Sequence, residues 1–416
     1  MKVLVVSEFY PRRDDPVLGV WAHRQALAAR DAGAEVKVIV LHRLVPPRDS
    51  FVRGPSTPGG PPTAGGPGRA LHALASQPHK EVRDDLDITY VRYMSPPRAG
   101  HYQAWGAWAA PALGLAMRRM RRSFKFELVH AHNAVPTADA VRRVLDRPRR
   151  LDLPLVVSVH GGDVLYTAPR SEAGRLAVQR NLARATDVLA NSEGIAELAR
   201  HYGASQAEVV HLGADLPESV GKRDPQPSLV TIGHLVARKR HADVLKALAV
   251  LSPSHPTLRY AIVGDGPERI ALEGLAARLG VRERIDFYGQ LPHEEAIAVA
   301  RRCTLFAMPS TEEAFGVAYI EAMAGGVPAI GCRGEPGPEE IAAAGDGFVL
   351  VPPGDIERLT QRIDELLSDP GRLREASMRA RETVASNFSW RRCGEQTVAA
   401  YEQALLDGRP GAETAA

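Results

Sequence analysis

Short apolar runs of strand length alternate with amphipathic stretches along most of the chain. KVLVV at 2–6 leads through a polar loop to a stretch from Trp21 to Ala32 that ends at Gly33, and VKVIVL at 36–41 follows. Continuous apolar runs of this length suit strands covered on both faces, so the first forty residues predict a βαβ unit on a parallel sheet. The alternation resumes with ITYVRY (88–93), a helix from about 103 to 122, ELVHAH (127–132), a helix near 136–146, PLVVSVH (154–160), a helix around 171–185, DVLANS (187–192) and EVVHLGADL (208–216).

A second alternating series begins with LVTIGHL (229–235) and a helix from about 241 to 251, then LRYAIVG (258–264), a helix at 267–279 and IDFYGQL (285–291). It continues with a helix near 293–302, TLFAMPS (304–310), a helix from about 317 to 325, PAIGC (328–332), a short helix near 337–343 and GFVLVP (347–352). After Pro370 come two helical stretches separated by NFSW at 387–390.

The pattern predicts an α/β protein with two parallel-sheet, Rossmann-like domains, and a ligand cleft between the carboxyl ends of their sheets. The first domain is expected over 1–216, a polar linker over 217–228 and the second domain over 229–386. Residues 387–416 read as a terminal helix that crosses back to the first domain. Eleven of the fifteen residues from Gly54 to Gly68 are Gly or Pro, so about 48–84 reads as a flexible surface insertion.

Composition narrows the function classes. With 44% apolar and 24% charged residues the chain is globular, and a net charge of +3 over 416 residues gives no case for nucleic acid. No run of eighteen apolar residues occurs, and the amino terminus turns polar before a signal peptide can form, so a cytoplasmic location is expected. Cys303, Cys332 and Cys393 are odd in number and lack CxxC spacing, which predicts neither a disulfide framework nor a zinc site.

The most informative segment is PSTEEAFGVAYIEAMAGGVPAI at 309–330. Glu313 precedes the predicted helix and Glu321 lies within it, eight positions on, so both carboxylates can face one cleft. Neither has a Lys nearby in sequence. The turn Ala314-Phe315-Gly316 at the helix start would present unbonded backbone N–H groups, a ready phosphate site.

That segment resembles the double-glutamate motif of the retaining family 4 glycosyltransferases, which have the GT-B fold. GHLVARKR (233–240), AIVGDGPER (261–269), GVPAI (326–330), FVLVPPGD (348–355) and NSEGIAEL (191–198) with VVHLGADL (209–216) extend the likeness over nearly the whole chain outside 45–85. The resemblance implies that Glu321 holds the nucleotide ribose and Glu313 contacts the donor sugar. It further implies that Phe315, Gly316 and Val317 offer N–H groups to the diphosphate and that Lys239 neutralises it. His234 stands where many members carry an arginine, and Arg240 where glycine commonly follows the lysine. Arg238, four positions on, is the candidate replacement guanidinium.

In the first half, VVSVHGGD (156–163) puts His160 at a strand end on a glycine turn. It resembles the family's strand-end histidine, set beside the donor sugar and the attacking acceptor oxygen, with Asp163 fixing its tautomer or binding a sugar hydroxyl. His132 resembles a cleft-side histidine of the same family, whereas His130 reads as core. Gly19, ahead of a helix, is a candidate anion or acceptor contact, and relatives commonly have two glycines there. The loop at 7–20 resembles bacterial cell-wall and exopolysaccharide glycosyltransferases. Asp85-Leu86-Asp87 matches a DxD metal triplet only formally, and neither a protein-bound metal nor a cofactor is expected.

The expected activity is therefore transfer of a sugar from a nucleotide-sugar, a UDP-sugar by default and GDP-mannose second, to a glycan or lipid-linked acceptor in cell-envelope synthesis. Catalysis would rest on His160, Glu313 and Lys239. The alternatives are an epimerase or phosphorylase of the same fold and a noncatalytic nucleotide-sugar-binding protein. HYQAWGAWAAPALGLAMRRMRRSFK (101–125) places Trp105, Trp108, Ala109, Ala112, Leu113, Ala116 and Met120 at helical spacing before five basic residues. It reads either as a helix packed on the sheet, with Pro111 interrupting any membrane-like face, or as a peripheral contact with anionic membrane.

Overall fold

The computed structural model describes residues 1–13, 15–44, 77–96, 98, 100–146 and 151–407. The chain divides into two compact units, the first built from residues up to Ala190, Ile195–Val210 and the chain from Gly394 on, the second from Asn191–Gly194 and His211–Cys393.

The first unit carries an eight-stranded sheet. Its strands are β1 (Lys2–Ser7), β2 (Glu35–Arg43), β3 (Lys80–Arg83), β4 (Leu86–Tyr93), β5 (Leu128–His132), β6 (Leu155–Val159), β7 (Asp187–Ala190) and β8 (Glu208–Val209), in the order β3-β4-β2-β1-β5-β6-β7-β8. All pairings are parallel except β3 with β4. Val3 to Val6 of β1 and Leu155 to Val157 of β6 have no exposed surface. That is why these strands read as unbroken apolar runs, with each large side chain contributing about 1.5–3 kcal/mol of burial.

The second unit carries six parallel strands, β9 (Ser228–Ile232), β10 (Arg259–Val263), β11 (Ile285–Gly289), β12 (Leu305–Ala307), β13 (Ala329–Cys332) and β14 (Phe348–Val351). Their order is β11-β10-β9-β12-β13-β14. Its core joins Leu229, Tyr260, Ile262 and Leu305 of the sheet to Val244, Leu245 and Leu248 of the helix His241–Leu251 and Leu359 and Ile363 of the helix Ile356–Ser368. Among the parallel strands of each sheet the order reverses once, at β1/β5 and at β9/β12, and crevices for ligands open beyond the carboxyl ends of strands at such points.

Residues 217–228, read as a linker from composition, lie within the second unit. Asp224 N–H donates to the Arg302 carbonyl at 2.9 Å, and Arg223 donates to Ser377 Oγ at 2.8 Å and to the Gly326 carbonyl. The terminal helix Trp390–Asp407 starts in the second unit and continues in the first, where Tyr401 Oη and His130 Nδ1 are 2.7 Å apart and Gln25 donates to Thr397 Oγ1 at 3.1 Å.

Three elements were not among those expected. β3 forms from residues within the stretch of about 48–84 read as a flexible insertion, and the part of that stretch over 48–76 lies outside the described residues. The helix Glu193–His201 and the helix Ile356–Ser368 complete the set. The second of these was legible, since Leu359, Ile363 and Leu366 repeat at helical spacing and Asp355 caps it by accepting Arg358 N–H.

The DxD triplet falls at the β3–β4 turn, where Asp87 pairs with Lys37 at 2.6 Å. Cys303, Cys332 and Cys393 are buried and free, and burial pushes the thiols of Cys303 and Cys332 up to about 11. No helix among the described residues is long and apolar enough to cross a membrane.

Candidate functional site

In the second unit the loops after β9 and β12, on either side of the order reversal, meet at one carboxylate. β9 runs out into Gly233 and His234, and a short turn at Ala237–Lys239 lifts Lys239 toward β12. Lys239 Nζ lies 2.5 Å from Glu313 Oε2, with both side chains about nine-tenths buried at 11% and 10% exposure. Ser310 Oγ donates to the same oxygen at 2.9 Å, and Arg238 Nη1 stands 4.0 Å from it. The carboxyl of Glu335 accepts the Glu313 N–H at 2.8 Å. Burial works to raise the Glu313 carboxyl, yet the charge and hydrogen bond of Lys239, with Arg238 and Ser310, hold it below its ordinary value.

With no Lys nearby in sequence, Glu313 nevertheless finds its partner in Lys239. Lys239 was invisible as its partner because the two residues sit on different strand-end loops.

Gly316 is the N-cap of the helix Val317–Ala324 and has φ 92°, ψ 60°. A Cβ there would lie 2.3 Å from the Tyr319 ring, so glycine is required on both counts. The N–H groups of Val317 and Ala318, at the start of this helix, have no intrahelical acceptor, whereas Tyr319 N–H donates to the Gly316 carbonyl at 2.9 Å. Phe315 is buried with its ring stacked on His211 at 5.5 Å, so its backbone alone faces this helix start. Glu321, on the same helix, pairs with His293 Nε2 at 2.7 Å. An ammonium and a guanidinium beside a carboxylate near a helix start are chemistry able to bind a diphosphate.

Arg240 takes the left-handed conformation, φ 55° and ψ 36°, as the N-cap of His241–Leu251. This explains why glycine suits the position. Here the arginine is held by Asp243, Nε to Oδ2 at 2.5 Å. His234 is exposed.

In the first unit, strand ends β1, β5 and β6 supply the polar groups. His132 closes β5 and His160 follows β6; His132 Nδ1 and His160 Nε2 are 3.1 Å apart. Trp21, from the start of the helix Val20–Asp31, packs over His160 with ring centroids 3.9 Å apart. Burial, then the neighbouring His130, hold His160 down at about 3, and burial with both neighbours keeps His132 well below the usual range. Both rings are therefore neutral at pH 7, and a neutral pair can share one N–H and orient a hydroxyl.

Asp163 does not fix the tautomer of His160, as the sequence suggested. It accepts from Ala134 N–H and Val135 N–H at 3.0 Å and from Asn133 Nδ2 at 3.3 Å, and so shapes the loop after β5. Burial raises its carboxyl to about 6 against those bonds. Gly19, with φ 63°, caps the helix Val20–Asp31, and a Cβ there would meet the Phe9 carbonyl at 2.2 Å, so close packing on the β1 loop explains the glycine. His130 is core, bonded to Tyr401 and to Ser158 Oγ, both at 2.7 Å.

A cavity of about 720 Å³ opens beside this cluster at the carboxyl ends of β1, β4, β5 and β6, lined among others by Arg98, Tyr102, Asn133, Asp163, Tyr166 and Arg170. Beneath it Glu8 accepts from Tyr102 Oη at 3.2 Å, and burial pushes its carboxyl up to about 7. Sequence reading missed Trp21, Glu8, Arg98, Arg170 and Glu335. The position of Trp21 directly after the Gly19 turn was the one local signal; the others lie on separate loops.

Comparison with known proteins shows the family of the chain. A model of the glycosyl transferase 4-like domain matches residues 18–213, and a model of glycosyl transferases group 1 matches residues 214–383. A glycogen synthase of Mycobacterium tuberculosis is 26% identical over 96% of this chain and 94% of its own. Among solved structures, a sucrose-phosphate synthase from Thermosynechococcus elongatus superposes with a TM-score of 0.75 at 20% identity, covering 98% of this chain and all (100%) of the other. The Anabaena protein HepE, solved with UDP and glucose, gives 0.69 at 19% identity over 97% of this chain and 100% of its own. The chain belongs to the group 1 glycosyltransferases, with a glycosyl transferase 4-like domain ahead of the group 1 domain, and is a glycosyltransferase of GT-B fold.

Proposed function

We propose that the protein transfers a hexosyl group, with retention, from a nucleoside diphosphate sugar to a hydroxyl of a glycan or lipid-linked acceptor in cell-envelope or exopolysaccharide synthesis on the cytoplasmic side. The observation that carries this reading is the Lys239–Glu313 pair beside the Gly316 helix start. Lys239 has three donor hydrogens, so it can hold Glu313 and still face a departing diphosphate. Arg238 and the N–H groups of Phe315, Gly316 and Val317 complete the positive lining, Glu321 takes the ribose, and Glu313 takes a donor-sugar hydroxyl. In this reading the bond from the anomeric carbon to the phosphate oxygen breaks, the bond to the acceptor oxygen forms on the same face, and the acceptor proton leaves with a phosphate oxygen. His160, kept neutral and braced by His132 and Trp21, orients the acceptor hydroxyl. No protein-bound metal is part of the scheme.

The donor is proposed to be a UDP-sugar, in keeping with the UDP held by the HepE neighbour, with GDP-mannose second. Thermal melts with UDP, GDP, ADP and dTDP test this, because a ligand at one hundred times its Kd adds about 2.7 kcal/mol. A rise with one nucleotide, absent in Glu321→Ala, supports the reading; no rise with any of them at millimolar concentration sinks it.

Peripheral contact with anionic membrane belongs to the same proposal. The helix Trp105–Arg121 buries Trp105, Ala109, Leu113 and Met117 and turns Trp108 (54% exposed) and Leu115 (45% exposed) outward, ahead of exposed Arg118, Arg119 and Arg122. Pro111 lies inside the helix on that outer face without ending it. Cosedimentation with phosphatidylglycerol vesicles but not with phosphatidylcholine vesicles, reduced in Trp108→Ala/Leu115→Ala, is the expected result.

A further inference from the structure

The cavity of the first unit has a charge character that the transfer reaction does not demand. Two arginines, Arg98 and Arg170, are among its lining residues, and neither makes an ion pair among the described residues. Arg98 is held over the Tyr102 ring, 4.3 Å from its centroid, and lies 6.0 Å from that of Phe9. Its side chain is thereby positioned without a salt-bridged carboxylate, and the Asp163 carboxyl that also lines the cavity is bonded to the Ala134 and Val135 N–H groups. Glu8 is the acid that acts on Arg98, and its burial keeps it substantially protonated near neutral pH. Arg170 ends a short helical turn, Ala168–Arg170, directly before Ser171. Ser171 caps the helix Glu172–Arg184 by accepting Gly174 N–H at 3.0 Å, and Ser171 and Ala173 line the cavity, so the positive end of a thirteen-residue helix also faces it.

Other lining residues suit hydroxyl groups. Asn133 Oδ1 is buried with no hydrogen-bond partner, while Tyr166 and Thr167 add polar edges and the rings of Phe9 and Tyr102 add apolar faces. A volume of about 720 Å³ suits a ligand of one or two sugar rings.

We infer that this cavity takes a phosphorylated polyol, the acceptor of the transfer, with its phosphate between Arg98 and Arg170 and its ring against Asn133 and Tyr166. The inference rests on the reading of the first unit as the acceptor-binding half. Planar guanidinium forks match phosphate oxygens in pairs, and two of them facing one cavity select an anion over a neutral glycan end. The phosphate can belong to a soluble sugar phosphate or to a phospholipid headgroup.

Titration calorimetry of the full chain with glucose 6-phosphate against glucose, and vesicle binding with equal-weight phosphatidylinositol and phosphatidylcholine against phosphatidylcholine alone, separate these sources. We expect at least one phosphate-bearing probe to bind about tenfold or more tightly than its neutral counterpart. In Arg98→Gln/Arg170→Gln the preference falls to about twofold or less, while the UDP-induced rise in Tm is unchanged. Preference for glucose 6-phosphate alone marks a soluble acceptor, and preference for phosphatidylinositol alone marks a lipid headgroup. Equal binding of charged and neutral probes, absence of binding by every probe, or a preference that survives the double substitution overturns the inference. Consumption of nucleotide-sugar, measured separately, tests the transferase reading. A chain that keeps the phosphate preference but consumes no donor loses that reading and keeps this site.

Discussion

Lys239 Nζ and Glu313 Oε2 are 2.5 Å apart across 74 positions of sequence, joined because β9 and β12 are neighbours at the reversal of the second sheet. Removing one member of so buried a pair strands the other charge. Lys239→Met and Glu313→Gln are each expected to destabilise the fold by about 3–5 kcal/mol. The double variant should recover most of that loss and still show no transfer. Thermal melts of the three variants with initial rates check this, and a double variant as unstable as the sum of the singles would contradict the pairing.

Arg240 tests a backbone argument. A left-handed residue other than glycine carries about 1–2 kcal/mol of strain, here offset by the ion pair with Asp243. Arg240→Gly is expected to stay within about 1 kcal/mol of the parent, whereas the β-branched Arg240→Val, which keeps the strain and loses the pair, should lose about 2 kcal/mol or more. Denaturation midpoints of the two variants decide it.

Acid should weaken the first unit through its histidines. His130 and His160 titrate near 6.5 when unfolded and are held at about 3 in the fold, so their contribution is whole above 6.5 and drains away as pH falls toward 3. Glu8 and Asp163 have the reverse sign. Their folded values, about 7 and about 6, lie above the ordinary 4.5 and 3.8, so they favour the fold most at low pH and lose that contribution as pH rises through those values. Substituting one histidine isolates its share. Between pH 7.5 and 5 the fall in Tm should be smaller in His160→Gln than in the parent by about 4 °C or more, from about 1.4 kcal/mol per pH unit below the unfolded value. Equal falls would show that His160 is not held neutral.

Trp21 packs 3.9 Å, centroid to centroid, from His160 and makes no polar contact with it. Its expected role is to fix the ring's orientation. Trp21→Ala should lower kcat about tenfold or more with little change in the Tm rise given by nucleotide, while Trp21→Phe restores most of the rate. A change in nucleotide response equal to the loss in rate would assign Trp21 to donor binding instead.

The alternation of apolar runs and amphipathic stretches determined the two parallel sheets, because a strand covered on both faces must be apolar throughout, as Val3 to Val6 show. Local chemistry likewise marked Gly316, Glu321, His160 and Gly19, each of which declares itself by its neighbours in sequence. β3 stayed hidden because four half-exposed residues, KEVR, carry no apolar run. What only the tertiary structure decided is which distant groups share a point in space. Strand order brought Lys239 to Glu313 and His132 to His160, turned Asp163 away from His160 toward the amides of Ala134 and Val135, and set Arg98 and Arg170 around one cavity. Periodicity along a chain records which face of each element is buried, whereas the meeting of strand-end loops depends on the order of strands, and no local pattern encodes that order.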